Sequence, residues 1–351
     1  MTTYIPITLV GFGVAGQLLL SHILEIVPAY KIAIVDPDFI GGSLAREYRT
    51  IQTNTTIGQK VTSLSTMPPI WSETISALKQ RGGTTDCLPV SSLVADIRTV
   101  AHTMAAKCVQ LYGEIQEASW DKDEKKWSLY FKHSNVLYTT SILCICTGMI
   151  PRQEDYGIPI IPLHIALDPI ALKQTISPGQ SIVVVGSAHS GTLILKHLNT
   201  LPTIQVTCIY KGSTPFKFAR DGQYGGIKQE SETIGDAIMN GEYTNLRLVS
   251  LNDTHAIAKA FRSCTWIIQA TGFKATIPPL FVKGREPLNV SWDPATGLSE
   301  APQAQTFGAC VPSTTTVDGK AYPDISVGSF VCQMGVRWPL LKRQIQDINL
   351  I

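Results

Sequence analysis

The chain has 351 residues, 44% hydrophobic and 16% charged, enough to bury about two moderate cores. Its formal net charge is only +2, and its lysines and arginines are dispersed with no basic run or basic–aromatic stripe, so nucleic acid is not an expected partner. Apolar runs are no longer than a strand and the chain passes from Met1-Thr2-Thr3-Tyr4 straight into its first strand; neither signal peptide nor membrane span is read, and a soluble, cytoplasmic protein is expected.

The first strand is the apolar run Ile5–Val10, and a helix is read from Gln17 onward. Between them stands Gly11-Phe12-Gly13-Val14-Ala15-Gly16. Glycines on a strand-to-helix turn let the backbone approach a pyrophosphate, and the helix start offers unpaired N–H groups and a partial positive charge. The following strand, Lys31–Val35, ends in Asp36, 20 residues past Gly16, where a carboxylate accepts hydrogen bonds from an unphosphorylated ribose.

An amphipathic helix is read over about 85–110, followed by antiparallel strands at Trp127–Phe131 and Asn135–Tyr138, then a buried strand at Ile142–Cys146 that stops at Thr147-Gly148. The glycine pattern then returns. The run Ser181–Val185 leads into Gly186-Ser187-Ala188-His189-Ser190-Gly191, which opens a second helix, with Ala188 in the place of the middle glycine. The next strand ends at Lys211, again 20 residues past the last glycine, so a cation occupies the station where the first copy carries an acid. A cation there suits a 2′-phosphate and favours NADPH over NADH. A second buried strand, Trp266–Ala270, ends in a matching small-residue turn, Thr271-Gly272. The duplication is domain-sized, and the Pro- and Gly-rich stretches at 151–162 and 275–288 are the expected crossings between domains.

Eight cysteines contain no Cys-x-x-Cys pair. Cys144, Cys146 and Cys208 fall in apolar strands, where cysteine acts as a small buried hydrophobe, and a Cys144–Cys146 disulfide would close a strained ring; reduced thiols are expected.

The paired glycine turns, the two Thr-Gly endings and the C-terminal Tyr322–Gly328 together resemble the flavoproteins with two dinucleotide-binding domains, which include thioredoxin reductases and flavin-containing monooxygenases. Gly41-Gly42, then Tyr48 and Thr53-Asn54, is similar to a segment of the monooxygenase branch. The resemblance implies an α/β fold of two Rossmann-like, three-layer ββα domains: an FAD-binding domain in two parts, 1–155 and 276–351, with an NADPH-binding domain, 156–275, inserted into it. FAD would take Gly11, Gly13, Val14, Ala15, Gly16, Asp36, Gly148 and Gly328, the last standing with Ser329 at the family's Gly-Asp ending. NADPH would take Gly186, Ala188, His189, Ser190, Gly191, Lys211, Thr271 and Gly272. Asn54 would lie by the flavin's reactive edge as a catalytic residue, and His164 is what remains of the family's histidine motif between the domains. No metal is expected.

The activity implied is oxygenation of a nitrogen or sulfur of a small molecule through a flavin C4a-hydroperoxide, after NADPH reduces FAD. Two alternatives stay open: an NADPH-dependent flavin reductase or oxidase without oxygen transfer, and a non-catalytic regulator that binds both cofactors. A homodimer is left open as the form of self-association.

Overall fold

All four residues of the strand Ile142–Ile145 are buried because that strand is covered on both faces, as interior strands of parallel sheets are. The computed structural model describes residues 2–133, 137–201, 203–223, 225–283, 287–288, 290–317 and 319–350, so that Asn135 and Val136 of the expected strand at 135–138 lie outside the described residues. The chain forms two compact units: one of residues 1–49, 55–149 and 275–351, the other of residues 50–54 and 150–274. The second interrupts the first, with its crossings at 149/150 and 274/275 where 155/156 and 275/276 were expected.

Up to the crossing at 149/150 the chain runs β1 (Ile7–Val10), α1 (Val14–Ile23), β2 (Ile32–Asp36), β3 (Gln52–Thr56, of which residues 52–54 belong to the second unit), α2 (Ile57–Leu64), α3 (Val90–Ala105), β4 (Val109–Tyr112), β5 (Ile115–Asp121), β6 (Lys126–Phe131), β7 (Leu137–Thr140) and β8 (Ile142–Ile145). A parallel sheet takes the order β8-β1-β2-β4, with Ile142 opposite Ile7 and Ile7 opposite Ile32. Alternation along each strand sends Ile7, Leu9, Ile34, Ile142 and Cys144 toward Leu18 and Leu19 of α1 and Ile97 and Ala101 of α3. The intervening Val10, Val35, Leu143 and Ile145 meet Ala118, Trp127, Leu129 and Phe131 of a second sheet built on β5, β6 and β7. This is a ββα stack. The helix expected from apolar spacing is α3, whose Leu93, Val94, Ile97, Val100, Ala101 and Met104 are buried on one face.

The second unit holds α4 (Leu163–Leu167), β9 (Ser181–Val185), α5 (His189–Asn199), β10 (Gln205–Tyr210), α6 (Glu230–Met239), β11 (Leu246–Ser250), α7 (Thr254–Ser263) and β12 (Trp266–Gln269). Its parallel sheet has the order β11-β10-β9-β12. Val183, Ile209 and Ile267 are covered by Ala260, Ile257 and Phe261 of α7, with Tyr156 and Ile158.

Back in the first unit, β13 (Ala304–Thr306) adds to β8 in parallel, Leu143 facing Ala304. A hairpin follows, β14 (Ser313–Val317) on β15 (Lys320–Asp324), and then α8 (Val327–Asp347). This corrects one sequence expectation. Gly328 does not end a sheet strand; it lies in the first turn of α8, whose start is set by a capping box between Ser326 and Ser329. Pro323 confines the segment before it to a two-stranded hairpin. Among the described residues no helix is long and apolar enough to cross a membrane.

Candidate functional site

Three glycines of the first turn do different work. Gly11 has φ +98°, and a Cβ there would lie 2.5 Å from the Cys146 carbonyl oxygen; a Cβ on Gly16 would lie 2.2 Å from the Gly11 carbonyl oxygen. Both are therefore required by the fold itself. Gly13 has extended backbone, and a Cβ there would find no protein atom nearer than 3.9 Å. Open space faces the middle glycine. The second turn repeats this geometry: Gly186 has φ +107° with a virtual Cβ 2.4 Å from the Ala270 carbonyl oxygen, and that of Gly191 falls 2.1 Å from the Gly186 carbonyl oxygen. Because the middle position packs against nothing, Ala188 is tolerated there and is exposed.

Neither α1 nor α5 has a side-chain cap or an acidic residue in its first turn. The first helical bond of α1 runs from the Gln17 N–H to the Gly13 carbonyl, and that of α5 from the Thr192 N–H to the Ala188 carbonyl. The N–H groups of Val14, Ala15 and Gly16, and of His189, Ser190 and Gly191, are left for an anion. By contrast α2 and α8 carry capping boxes and α7 is capped by Asp253.

Other turns gather round the start of α1. A Cβ on Gly42 would lie 3.0 Å from the Gly13 Cα, and one on Gly308 only 2.4 Å from the Ala15 Cβ. Gly308 was missed from the sequence; its only signal was a glycine two residues past the three-residue strand Ala304–Thr306, which is too short to read. The Gln333 side chain accepts from the Gly308 N–H at 2.7 Å, which fixes that turn to α8. Gly148 has φ +72° and open space beside it, and its carbonyl accepts from the Thr276 N–H at 3.3 Å. The Thr147 hydroxyl is buried with no hydrogen-bond partner among the described residues, as expected of a group that a ligand satisfies. Open space at Gly13, donors without acceptors and this orphaned hydroxyl fit a bound dinucleotide.

Asp36 ends β2 as read, but its carboxylate is 4% exposed and occupied. Oδ2 accepts from the Phe12 N–H at 2.7 Å; Oδ1 accepts from the N–H groups of Phe39 at 2.8 Å and Asp38 at 3.1 Å. Burial raises its pKa above the ordinary aspartate value against the pull of those three bonds. The carboxylate thus ties the glycine turn to the end of β2 before any ligand is considered.

In the second unit Lys211 is exposed, with no hydrogen bond or ion pair among the described residues. His189 Nδ1 is 2.9 Å from Ser231 Oγ, while its Nε2 is buried without a partner among the described residues; burial, assisted by Lys228, holds the imidazole below the ordinary histidine value. Thr271 and Gly272 are exposed, Gly272 with φ +93°, and its carbonyl accepts from the Arg152 N–H at 2.9 Å. Arg220, which charge alone makes a phosphate candidate, is committed to Glu232 and, bidentately, to Asp236. His164 is half-buried in the five-residue α4 and makes no hydrogen bond among the described residues. Asn54 is exposed on β3, in a strand rather than a turn, next to the point where the chain enters the other unit at Thr55.

All eight cysteines are free, and burial pushes the Cys144, Cys146 and Cys310 thiols up and that of Cys208 to about 12. Thiols so protonated are poor nucleophiles. No group of three or more His, Cys, Asp or Glu among the described residues could hold a metal ion. A cavity of about 370 Å³ lies at the starts of β9, β10 and β11, the opposite end of those strands from Gly186, and takes no part in the site.

No family model matches the chain. It is 24% identical over 330 residues to the monooxygenase AgnR1 of Paecilomyces divaricatus, covering 82% of this chain and 83% of that one. Among solved structures it is similar to the FAD-bound cadaverine monooxygenase DfoA of Erwinia amylovora, with TM-score 0.63 and 12% identity over 99% and 96% of the two chains. It is as similar to the bacillithiol disulfide reductase of Staphylococcus aureus, with TM-score 0.61 and 11% identity over 98% and 99%. At these identities the solved structures establish the fold alone, which this chain shares with both the monooxygenase and the reductase.

Proposed function

We propose that this FAD- and NADPH-dependent oxidoreductase is a monooxygenase that oxygenates a nitrogen or sulfur of a small molecule. The carrying observation is the repeated strand–glycine–helix turn with an uncapped helix start, followed once by the acid Asp36 and once by the cation Lys211. Similarity to a monooxygenase over four-fifths of the chain favours oxygen transfer. The disulfide-reductase reading is weakened by the lack of Cys-x-x-Cys and by the raised thiols beside the first turn.

FAD is assigned to Gly13 and the N–H groups of Val14, Ala15 and Gly16, bordered by Gly11, Asp36, Gly148 and Gly328, with the Thr147 hydroxyl as an added partner. NADPH is assigned to Gly186, Ala188, His189, Ser190, Gly191, Thr271 and Gly272, its 2′-phosphate to Lys211. Bound FAD, once reduced, supplies the oxygen activation. The chain orients it: Asp36 holds the Phe12 N–H, and Asn54 offers one amide that both donates and accepts, so that it can orient an oxygen atom or the nicotinamide. His164 is a catalytic candidate on the resemblance alone.

The deciding experiment is an absorbance spectrum of the purified protein, then with NADPH under anaerobic conditions, then with air. A flavin band that NADPH bleaches, with oxygen recovered in an amine or thioether product, is the expected result. Recovery of all oxygen as H₂O₂ leaves an oxidase, and failure of NADPH to bleach the flavin leaves a cofactor-binding regulator. Two variants refine it. Lys211→Glu should shrink or reverse the preference for NADPH over NADH in flavin reduction, since a carboxylate repels a 2′-phosphate and accepts from a 2′-hydroxyl; equal use of both coenzymes by the parent protein removes the role given to Lys211. Asn54→Ala should stay yellow and be bleached by NADPH while product formation falls on the order of 10²-fold and H₂O₂ per NADPH rises. A variant that keeps parental coupling shows that Asn54 has no part in the chemistry.

A further inference from the structure

In the second sheet, ordered β11-β10-β9-β12, the chain leaves β9 toward β10 on one side and comes back to β12 on the other. A ligand of such a sheet lies outside the carboxyl ends of the strands where the order reverses, here between β9 and β12. The Gly186 turn ends β9 and the Ala270–Gly272 turn ends β12, and the two touch, since a Cβ on Gly186 would lie 2.4 Å from the Ala270 carbonyl oxygen. Lys211 follows the last residue of β10, on the far side of the glycine turn.

The near side carries Arg152. Its N–H donates to the Gly272 carbonyl at 2.9 Å and its Nε to the Phe273 carbonyl at 2.9 Å. The segment is tied down again two residues on, where the Glu154 N–H donates to Gln269 Oε1 at 2.8 Å and Gln269 Nε2 returns to the Glu154 carbonyl at 2.7 Å, Gln269 being the buried last residue of β12. These bonds fix the base and the middle of the Arg152 side chain. Both Nη groups at its tip are left with no hydrogen bond or ion pair among the described residues, and the residue is exposed, so the fork is open to a ligand. The acids next along the chain do not compensate it: Glu154 Oε2 accepts from the Tyr156 hydroxyl at 2.7 Å and Asp155 Oδ1 from the Gly157 N–H at 2.8 Å. A guanidinium anchored through Nε loses little freedom on meeting a phosphate, and its planar fork matches two phosphate oxygens.

We propose, on the NADPH assignment made above, that Arg152 is a further coenzyme-binding residue, whose Nη fork holds the diphosphate from the β12 side while Lys211 holds the 2′-phosphate from the β10 side. The diphosphate is common to NADPH and NADH. Arg152 therefore sets the affinity for both coenzymes, and Lys211 the choice between them.

The test is a titration of the flavin-loaded full chain with NADP⁺ and with NAD⁺, followed by calorimetry. Arg152→Gln is the informative variant, because the glutamine amide nitrogen stands at the same place along the side chain as Nε: the donor to Phe273 is kept, and the charge and the fork are removed. Its Kd should rise about 10-fold for NADP⁺ and by the same factor for NAD⁺, equivalent to about 1.4 kcal/mol, with parental melting temperature and FAD content. Arg152→Lys, which keeps the charge without the fork, should fall between. Added salt should weaken NADP⁺ binding less in Arg152→Gln than in the parent. In the Lys211→Glu background Arg152→Gln should weaken NAD⁺ by that same factor again, since the two cations serve different phosphates. Parental Kd values in Arg152→Gln, with NADP⁺ selectively lost in Lys211→Glu, overturn the proposal and leave the NADPH assignment standing. A loss confined to NADP⁺ overturns it as well, the guanidinium then serving the 2′-phosphate, as does weakened binding that tracks a depressed melt in both variants, the arginine then only fastening the turn. A parent that binds neither coenzyme removes the NADPH assignment and the role of Arg152 together.

Discussion

Replacing Gly13 by valine should yield a folded protein that purifies without colour. At this position the backbone is extended, with φ −70° and ψ −176°, a conformation open to any L-residue, and the added Cβ has no protein atom within 3.9 Å. The fold therefore accepts the side chain, and what loses space is whatever lies against the N-terminus of α1. An isopropyl group there keeps a pyrophosphate from the N–H groups of Val14, Ala15 and Gly16, and FAD affinity should fall by at least about 100-fold, or about 2.7 kcal/mol. The neighbouring glycines behave differently. Gly11→Ala forces a side chain into φ +98° and against the Cys146 carbonyl, and Gly16→Ala drives one into the Gly11 carbonyl, so both should lower stability and flavin content together. The measurements are the ratio of flavin to protein absorbance after purification and a thermal melt of each variant. Stoichiometric FAD in Gly13→Val shows that the turn does not bind the flavin; a melt as depressed as that of Gly11→Ala shows that the open face is not open.

The parts legible in the sequence were those in which a local rule and the tertiary structure agree. Gly11 through Gly16 and Gly186 through Gly191 announce themselves because a strand, a turn and a helix each impose their own residue pattern at fixed spacing, and Asp36 and Lys211 follow from the length of that unit. The apolar spacing of α3 is read for the same reason. Long-range choices were not legible. The fifth strand of the first sheet is only Ala304-Gln305-Thr306, buried because Gln305 and Thr306 find partners in Thr296 and Gly297, which no periodicity signals. The run Tyr322–Gly328 carries strand-like residues and a terminal glycine, and it imitated the missing strand until the Ser326–Ser329 capping box made it a helix start. The same limit hid the occupation of Asp36: an acid at the ribose station can be counted along the chain, but its capture by the Phe12, Asp38 and Phe39 N–H groups depends on how two loops meet.

Arg337→Ala should destabilise the first unit by about 3–5 kcal/mol, among the largest effects of any single side chain outside the glycine turns. The guanidinium is fully buried in α8 and forms no ion pair among the described residues. Its donors instead reach the carbonyls of Pro294, Ala295, Thr306 and Val311 at 2.5 to 3.2 Å. Burial pushes its pKa down to about 10, still far above neutral pH, so the group stays charged while it joins the loop before β13, the end of β13 and the segment after it to one helix. Truncation leaves four carbonyls without that donor and a cavity beside Gly297, whose virtual Cβ lies 3.0 Å from Arg337 Cδ. Lysine does not substitute, since a single ammonium lacks the planar fork that serves several acceptors in fixed directions. The consequence reaches the flavin site through the chain itself: two residues past Thr306, Gly308 closes against Ala15 at the start of α1 and is held by Gln333, one helical turn before Arg337. A thermal melt of Arg337→Ala and Arg337→Lys should therefore drop by roughly 10 °C, with excess FAD restoring part of the loss by binding only the folded form. A melt within 2 °C of the parent for Arg337→Ala, with undiminished flavin content, shows that the four carbonyls find other donors or water and that α8 does not hold β13 in place.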